Sequence, residues 1–333
     1  MNPDFKEYLL NITNSSECKE LEIIQSLWSG YGTISRYQLE GAKVQTVVVK
    51  CISLIQMGEH PRGWNTNNSH NRKVKSYEVE THWYENWSQC CTVNCRVPEF
   101  LGSFSQGKEQ WIILEDLDVN FPIRKKHLEF SEVKGCLKWL ASFHATFLNI
   151  KPRGLWDVGT YWHLATRPDE YERIDTRNFR YKELKSKAHL LDDILNQCTY
   201  QTIVHGDAKL ANFCFSEDGK NIAAVDFQYV GGGCGMKDVA YFLGSCLSSS
   251  ECELYEDGLL DYYFLELQKA SDNYRKPFSR DKIEFVTLKE EWRGLYPVAC
   301  ADFTRFLLGW MPTHQKVNEY SLKIMDSVLS SFK

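Results

Sequence analysis

The octet His205-Gly206-Asp207-Ala208-Lys209-Leu210-Ala211-Asn212, followed nineteen positions after Asp207 by Asp226-Phe227-Gln228, constrains this chain more than any other stretch. Between the two motifs lies a hairpin pattern. Phe213-Cys214-Phe215 is a short apolar run, Glu217-Asp218-Gly219-Lys220 is a tight turn, and Ile222-Ala223-Ala224-Val225 is a second apolar run. Pairing the two runs puts Asp207 and Asn212 just before one strand and Asp226 just after its partner. Three polar side chains then meet at one end of a hairpin. An Asp, an Asn and a second Asp at this spacing suit phosphoryl transfer. One carboxylate orients an attacking hydroxyl, while the amide and the other carboxylate hold magnesium against nucleotide phosphates.

The rest of the chain supplies a frame for that hairpin. Residues 21–55 read as three antiparallel strands with a small glycine-containing turn between the first two, and Gln45-Thr46-Val47-Val48-Val49-Lys50 is strongly β. Residues 56–73, rich in Gly, Pro and Asn, read as a mobile polar loop. A helix is expected from Val74 to Trp87, with Val79, Trp83 and Trp87 on one face. Phe100–Phe104 and Gln110–Leu114 form a second hairpin, and Glu115-Asp116-Leu117 leaves it as a hinge. Beyond this, helical spacing dominates. Val133, Leu137, Leu140, His144 and Phe147 mark one helix with Ser131 as its N-cap. Further helices are expected at 180–196 and 255–270, and two more between Glu284 and Trp310, broken near Pro297. The expected architecture is α+β: a small antiparallel β lobe with one helix over residues 1–116, and a larger, mainly helical lobe over 117–333. A chain of 333 residues exceeds one typical core and agrees with two lobes.

His205-Gly206-Asp207 with Asn212 and Asp226-Phe227-Gln228 resembles the aminoglycoside phosphotransferase and choline kinase group of protein-kinase-like folds. The Asp-Phe-Gln variant, with Asp238-Val239-Ala240-Tyr241-Phe242-Leu243 after it, is most similar to the ecdysteroid kinase-like branch. The resemblance spans roughly residues 20–310 and implies a bilobal protein-kinase-like fold. It also implies ATP- and Mg2+-dependent transfer of the γ-phosphoryl group to a hydroxyl of a small molecule. Asp207 is then the catalytic carboxylate, Lys209 stands near the transferred phosphoryl, and Asn212 and Asp226 are the metal ligands. Lys50 reaches the phosphates and Glu80 holds it; Glu78, two residues away, points to another side of the helix. Ser29, Gly30 and Gly32 cover the phosphates with backbone N–H groups. The backbone from Glu115 to Leu117 receives the base, while His205 and Asp238 brace the catalytic loop. The stretch Gly231–Met236 stands where a protein kinase has its activation segment, and it is too short for control by phosphorylation.

Acceptor residues in this group come from the C-terminal helices, here residues 287–314. Glu290, Glu291, Trp292, Tyr296, Asp302, Phe303, Trp310 and His314 are the candidates. Aromatics with carboxylates suit a choline-like cation. The same rings suit a flat, sterol-like alcohol, or simply pack helices, and a sugar-like acceptor also remains open. Protein substrates are disfavoured, because His-Gly-Asp replaces the His-Arg-Asp of protein kinases. Two alternatives stand beside the small-molecule kinase. A catalytically silent nucleotide-binding protein would have lost the base or a metal ligand, and none is lost. An aminoglycoside-modifying enzyme needs an acidic acceptor pocket, which Glu290, Glu291 and Asp302 permit.

A net charge of −5 gives no overall attraction to nucleic acid or to an anionic membrane. No run of eighteen apolar residues exists, so no membrane span is expected. Charges among the first ten residues argue against a signal peptide, and a cytoplasmic location is expected. Of the twelve cysteines, Cys90, Cys91 and Cys95 cluster, but no second cluster completes a zinc site, and the others are scattered. They are expected to be reduced thiols. Periodicity says nothing of oligomeric state.

Overall fold

The computed structural model describes residues 1–27, 30–53, 67–273 and 284–332. The N-terminal lobe runs α1 (Pro3–Thr13), β1 (Glu17–Ser26), β2 (Gly32–Glu40), β3 (Thr46–Ser53), α2 (Asn67–Asn86), β4 (Phe100–Gln106) and β5 (Glu109–Glu115). Its strands form one antiparallel sheet in the order β1-β2-β3-β5-β4. Alternation along β3 divides its side chains between two faces. Val47 and Val49 turn to one side, where they pack with Tyr37, Trp111 and Ile113 beneath Phe5 and Leu9 of α1. Val48 and Lys50 turn to the other side and line a cleft.

The larger lobe contains α3 (Phe130–Thr146), α4 (Pro168–Glu172), α5 (Phe179–Asn196), β6 (Thr202–Val204), β7 (Phe213–Phe215), β8 (Ile222–Ala224) and β9 (Gly231–Gly233). It continues with α6 (Met236–Cys246), α7 (Ser249–Asn273), α8 (Phe285–Trp310) and α9 (Glu319–Ser330). The apolar stripe of α3 is wholly buried at its centre. Phe143 of α3 and its C-cap Phe147 pack on Trp83 of α2, and Trp83 stacks on Phe227 at 4.7 Å between ring centroids. One aromatic cluster therefore ties the helix of the small lobe to the segment that carries Asp226. β7 and β8 pair as the expected hairpin, and β9 pairs with β6. The three glycines of β9 let other backbone press against it: a Cβ on Gly231 would lie 2.2 Å from the Trp156 carbonyl oxygen.

Mixed α and β lobes of this kind agree with the expected fold class, and four local expectations need correction. The small lobe carries a second helix, α1, which was not expected; Asn2 caps it by accepting the N–H groups of Asp4 and Phe5. The helix expected at Val74 starts at Asn67, so residues 67–73 are helical where a polar loop was expected; residues 54–66 of that loop lie outside the described residues. The N-cap of α3 is Glu129, whose N–H donates to the Glu132 carboxylate, and not Ser131. Finally, α8 continues through Pro297 instead of breaking there. A proline inside a helix costs about 3 kcal/mol. The burial of Leu288, Trp292, Leu295, Tyr296, Ala299 and Phe303 along the same helix outweighs it. Among the described residues no helix is long and apolar enough to cross a membrane. The twelve cysteines are free thiols, and no described cluster of His, Cys, Asp and Glu forms a metal site.

Candidate active site

The loop of residues 205–212 is held from behind. One Asp238 oxygen accepts the N–H of His205 at 2.6 Å, and the other accepts the N–H of Gly206 at 2.9 Å. His144 Nε2 lies 3.1 Å from Asp238, and its Nδ1 lies 2.8 Å from the Tyr263 hydroxyl. Asp207 N–H donates to His205 Nδ1, so His205 carries its proton on Nε2 and donates it to the Val225 carbonyl. Burial lowers the His205 pKa from its ordinary value, against the charges of Asp238, Asp207 and Asp226. His205 and Asp238 thus act on backbone, as the sequence suggests. His144 was legible only as a helix-face residue, because its partner lies 94 positions away.

At the front of the loop, Lys209 Nζ is 2.7 Å from Asp207 Oδ2. The Asn212 amide nitrogen donates to the Asp207 carbonyl at 2.8 Å and to its carboxylate at 3.1 Å. With the nitrogen engaged, the amide oxygen is what Asn212 can offer a metal. Asp226 has φ +71°, the left-handed region that non-glycine residues rarely adopt. Its Oδ1 accepts from Gln228, and Gln228 in turn accepts from Lys73 at 3.0 Å. Strain of this kind persists only where the surroundings enforce it, and it clusters at functional sites. Burial works to raise the Asp226 pKa, but the charges of Lys50, Lys209 and Lys73 hold it below the ordinary carboxylate value. For Asp207 burial prevails and its pKa is raised, with Lys209 opposing and the Asp226 charge reinforcing the rise.

From the sheet, Lys50 pairs with Glu80 of α2 at 2.5 Å, both almost wholly buried. Glu78 faces solvent beside Lys75. Gly30 and Gly32 have φ of +74° and +135°, and a Cβ on Gly32 would fall 1.9 Å from the Cys51 carbonyl oxygen. Ser29 lies outside the described residues. At the hinge, Glu115 pairs with Arg96, and Leu117 is buried. Asp116 accepts from Arg36 at 2.7 Å; Arg36 also meets Glu22 and Asp118. This ion network escaped the sequence reading, since its members lie up to 96 positions apart.

Most of these groups face one cleft of about 670 Å3 between the lobes, whereas Gly30, Gly32, His205 and Asp238 do not line it. Lys50, Glu80, Glu115, Leu117, Asp207, Lys209, Asn212 and Asp226 line it together. The acceptor candidates divide. Trp310, Phe303 and His314 line the cleft, while Glu291, Trp292, Tyr296 and Asp302 do not. Glu291 accepts the N–H groups of Thr199 and Tyr200. Trp292 is buried and donates to the Tyr200 carbonyl. Tyr296 meets the Tyr320 hydroxyl, and Asp302 pairs with buried Arg305 at 2.8 Å. These four therefore serve packing around α8. Arg72, Tyr161, Arg167, Tyr229 and Lys316 also line the cleft and were not anticipated, because they sit in loops or at a helix start without periodicity.

A small antiparallel lobe over a helical lobe, with the polar groups gathered in the cleft between them, is the architecture of kinase-like phosphotransferases. Residues 162–276, which include Asp207, Asn212 and Asp226, match the ecdysteroid kinase-like family. Over that segment the match agrees with the branch resemblance read from the sequence. Among solved structures the chain is similar to an ethanolamine kinase of Plasmodium vivax, at 11% identity and TM-score 0.51, covering 98% of this chain and 86% of that one. At such identity the likeness is one of fold. Matches also include an aminoglycoside-3'-phosphotransferase of type VIII, at 14% identity, TM-score 0.44, and coverage of 87% and 98%. An aminoglycoside phosphotransferase of Streptomyces rimosus in complex with ADP and streptomycin matches at 11% identity, TM-score 0.42, and coverage of 89% and 99%. The comparison with curated proteins gave no match.

Proposed function

We propose that this chain is an ATP- and Mg2+-dependent kinase that transfers the γ-phosphoryl group to a hydroxyl of a small molecule. The observation that carries the reading is the convergence of Asp207, Lys209, Asn212 and Asp226 on one cleft with the buried Lys50–Glu80 pair. The donor set fits magnesium: an amide oxygen from Asn212 and an ionised carboxylate from Asp226 are hard ligands, few in number, with nucleotide phosphates to complete the shell. When bound, the metal would neutralise phosphate charge.

Each residue then has a task. Lys50, steadied by Glu80, meets the α- and β-phosphates. Gly30 and Gly32 bring backbone close to them, and the 115–117 backbone receives the base. Asp207 accepts the hydrogen bond of the acceptor hydroxyl and orients its oxygen for in-line attack. As that oxygen bonds the γ-phosphorus, the bond from phosphorus to the bridging oxygen breaks, the hydroxyl proton passes to Asp207, and ADP leaves. Lys209 beside Asp207 balances charge on the transferred group.

ATP consumption with Mg2+ against choline, ethanolamine, hydroxysteroids, sugars and aminoglycosides tests the reading, with Asp207→Ala in parallel. Turnover that depends on an acceptor should fall about 10²–10⁴-fold in the variant, while nucleotide binding by calorimetry persists. Undiminished turnover in Asp207→Ala removes the assignment.

A further inference from the structure

Beyond Asp207 the cleft is walled by Tyr161, Tyr241, Phe303 and Trp310. The carboxylates that line the cleft lie elsewhere, with Glu80 and Asp226 at the phosphate centre and Glu115, Asp116 and Asp118 at the hinge. Asp207 itself is the one acid among the described residues that line this end. Apart from Asp226 at the phosphate centre, the charged side chains that line this end with it are cations: Arg72, Arg167, Lys209 and Lys316.

Two of these cations already have carboxylate partners. Lys209 faces Asp207, and Arg167 pairs with Glu170 at 3.0 Å. Arg72 donates to the Thr166 carbonyl and the Ser69 hydroxyl. Lys316 has no carboxylate within ion-pair distance among the described residues. Its Nζ stands 4.3 Å from the Tyr241 ring centroid and 5.4 Å from that of Phe303. The chain around it is well tied: Lys316 N–H donates to His314 Nδ1, His314 N–H to the Met311 carbonyl, and Val317 N–H to the His314 carbonyl.

Two consequences follow for an acceptor. Of the rings a quaternary ammonium would need, Tyr241 and Phe303 already face Lys316, and Tyr161 faces Arg167. A cationic acceptor would also bring its charge against Lys316 and Arg72. Burial lowers the Lys316 pKa to about 8, with the Asp207 charge opposing, as expected for an ammonium withdrawn from water without a paired anion.

We propose that the phosphoryl acceptor is an anionic alcohol, whose carboxylate or sulfate-type group docks on Lys316 beside Tyr241 and Phe303 while its hydroxyl meets Asp207. The fate of the hydroxyl rests on the kinase reading; the anion site rests on the cleft's own geometry.

The test is direct binding by calorimetry, without nucleotide, of benzyl alcohols that differ only at the para position: carboxylate, sulfonate, methyl ester and trimethylammonium. In the wild-type protein the carboxylate or the sulfonate should bind about tenfold tighter than the ester, as one charge-assisted contact gives, and the trimethylammonium compound weakest of all. The tighter of the two anions names the group. Lys316→Gln should abolish the preference and Lys316→Arg should keep it. Equal binding of all four, tighter binding of the ammonium compound, binding of none, or a preference that survives Lys316→Gln overturns the inference. ATP turnover run in parallel separates the two readings. Turnover of neutral or cationic alcohols alone leaves the kinase and removes the anionic acceptor. An anion preference that depends on Lys316 and comes without any turnover does the reverse.

Discussion

The Asp238 carboxylate accepts the backbone N–H of His205 at 2.6 Å, so the first turn of a helix 33 residues downstream sets the conformation of the loop at residues 205–212. Its second oxygen takes the Gly206 N–H, and His144 completes its shell. All three partners are buried, and each is a donor or can become one.

Asp238→Asn retains the shape but leaves one acceptor where two N–H groups converge, and sets an amide NH2 against the other. Orphaning a buried donor costs about 1–3 kcal/mol. Denaturant unfolding should show a loss of that order, with turnover reduced more than nucleotide affinity. An unfolding midpoint equal to wild type would mean that the loop holds itself.

Asp207 is raised above the ordinary carboxylate pKa by burial, against the pull of Lys209. The proposed reaction needs the Asp207 carboxylate, so kcat/KM should fall as pH drops through that pKa. Lys209→Gln removes the opposing cation, so the pKa rises and the acid limb moves to higher pH. The normalised pH profile of both proteins checks this. A limb that stays in place would show that Lys209 is not the charge partner of Asp207.

Gly32 combines φ +135° with a Cβ position 1.9 Å from the Cys51 carbonyl oxygen. Gly32→Ala must therefore displace the turn or the strand beside it, at a strain of about 1–3 kcal/mol. The dissociation constant of Mg-ATP should rise about tenfold or more. Unchanged nucleotide affinity would exclude the turn from phosphate binding.

Asp226→Asn suits a test of the metal, because Asn tolerates the left-handed backbone at this position better than other replacements. Weaker ligation should raise the Mg2+ concentration for half-maximal turnover. Chelation of Mg2+ should abolish the thermal shift that ATP gives the wild-type protein. A shift of equal size with chelator present would remove metal-dependent nucleotide binding.

The β7–β8 hairpin was legible because its parts are close in the chain. Asp207, Asn212 and Asp226 are joined by one tight turn, and Phe213-Cys214-Phe215 can pair with the run at Ile222 in one register. Lys50 and Glu80 were legible as a lysine at the end of a strongly β run and through the resemblance of the helix that carries Glu80 to the family's motif, and the structure turns both toward the same cleft. Glu291, Trp292, Tyr296 and Asp302 misled. A helix rich in aromatics and acids reads alike whether its face meets a pocket or another helix, and only packing against α5 and α9 buries that face of α8. The break expected at Pro297 failed for the same reason.

The chain's local order thus determined the strands, the hairpin and the identity of the polar groups that meet there, since short loops leave few ways to close. Which groups line the far end of the cleft was decided by tertiary structure alone. Tyr161, Arg167 and Lys316 come from irregular segments whose side-chain directions follow no period, and long-range packing aims them.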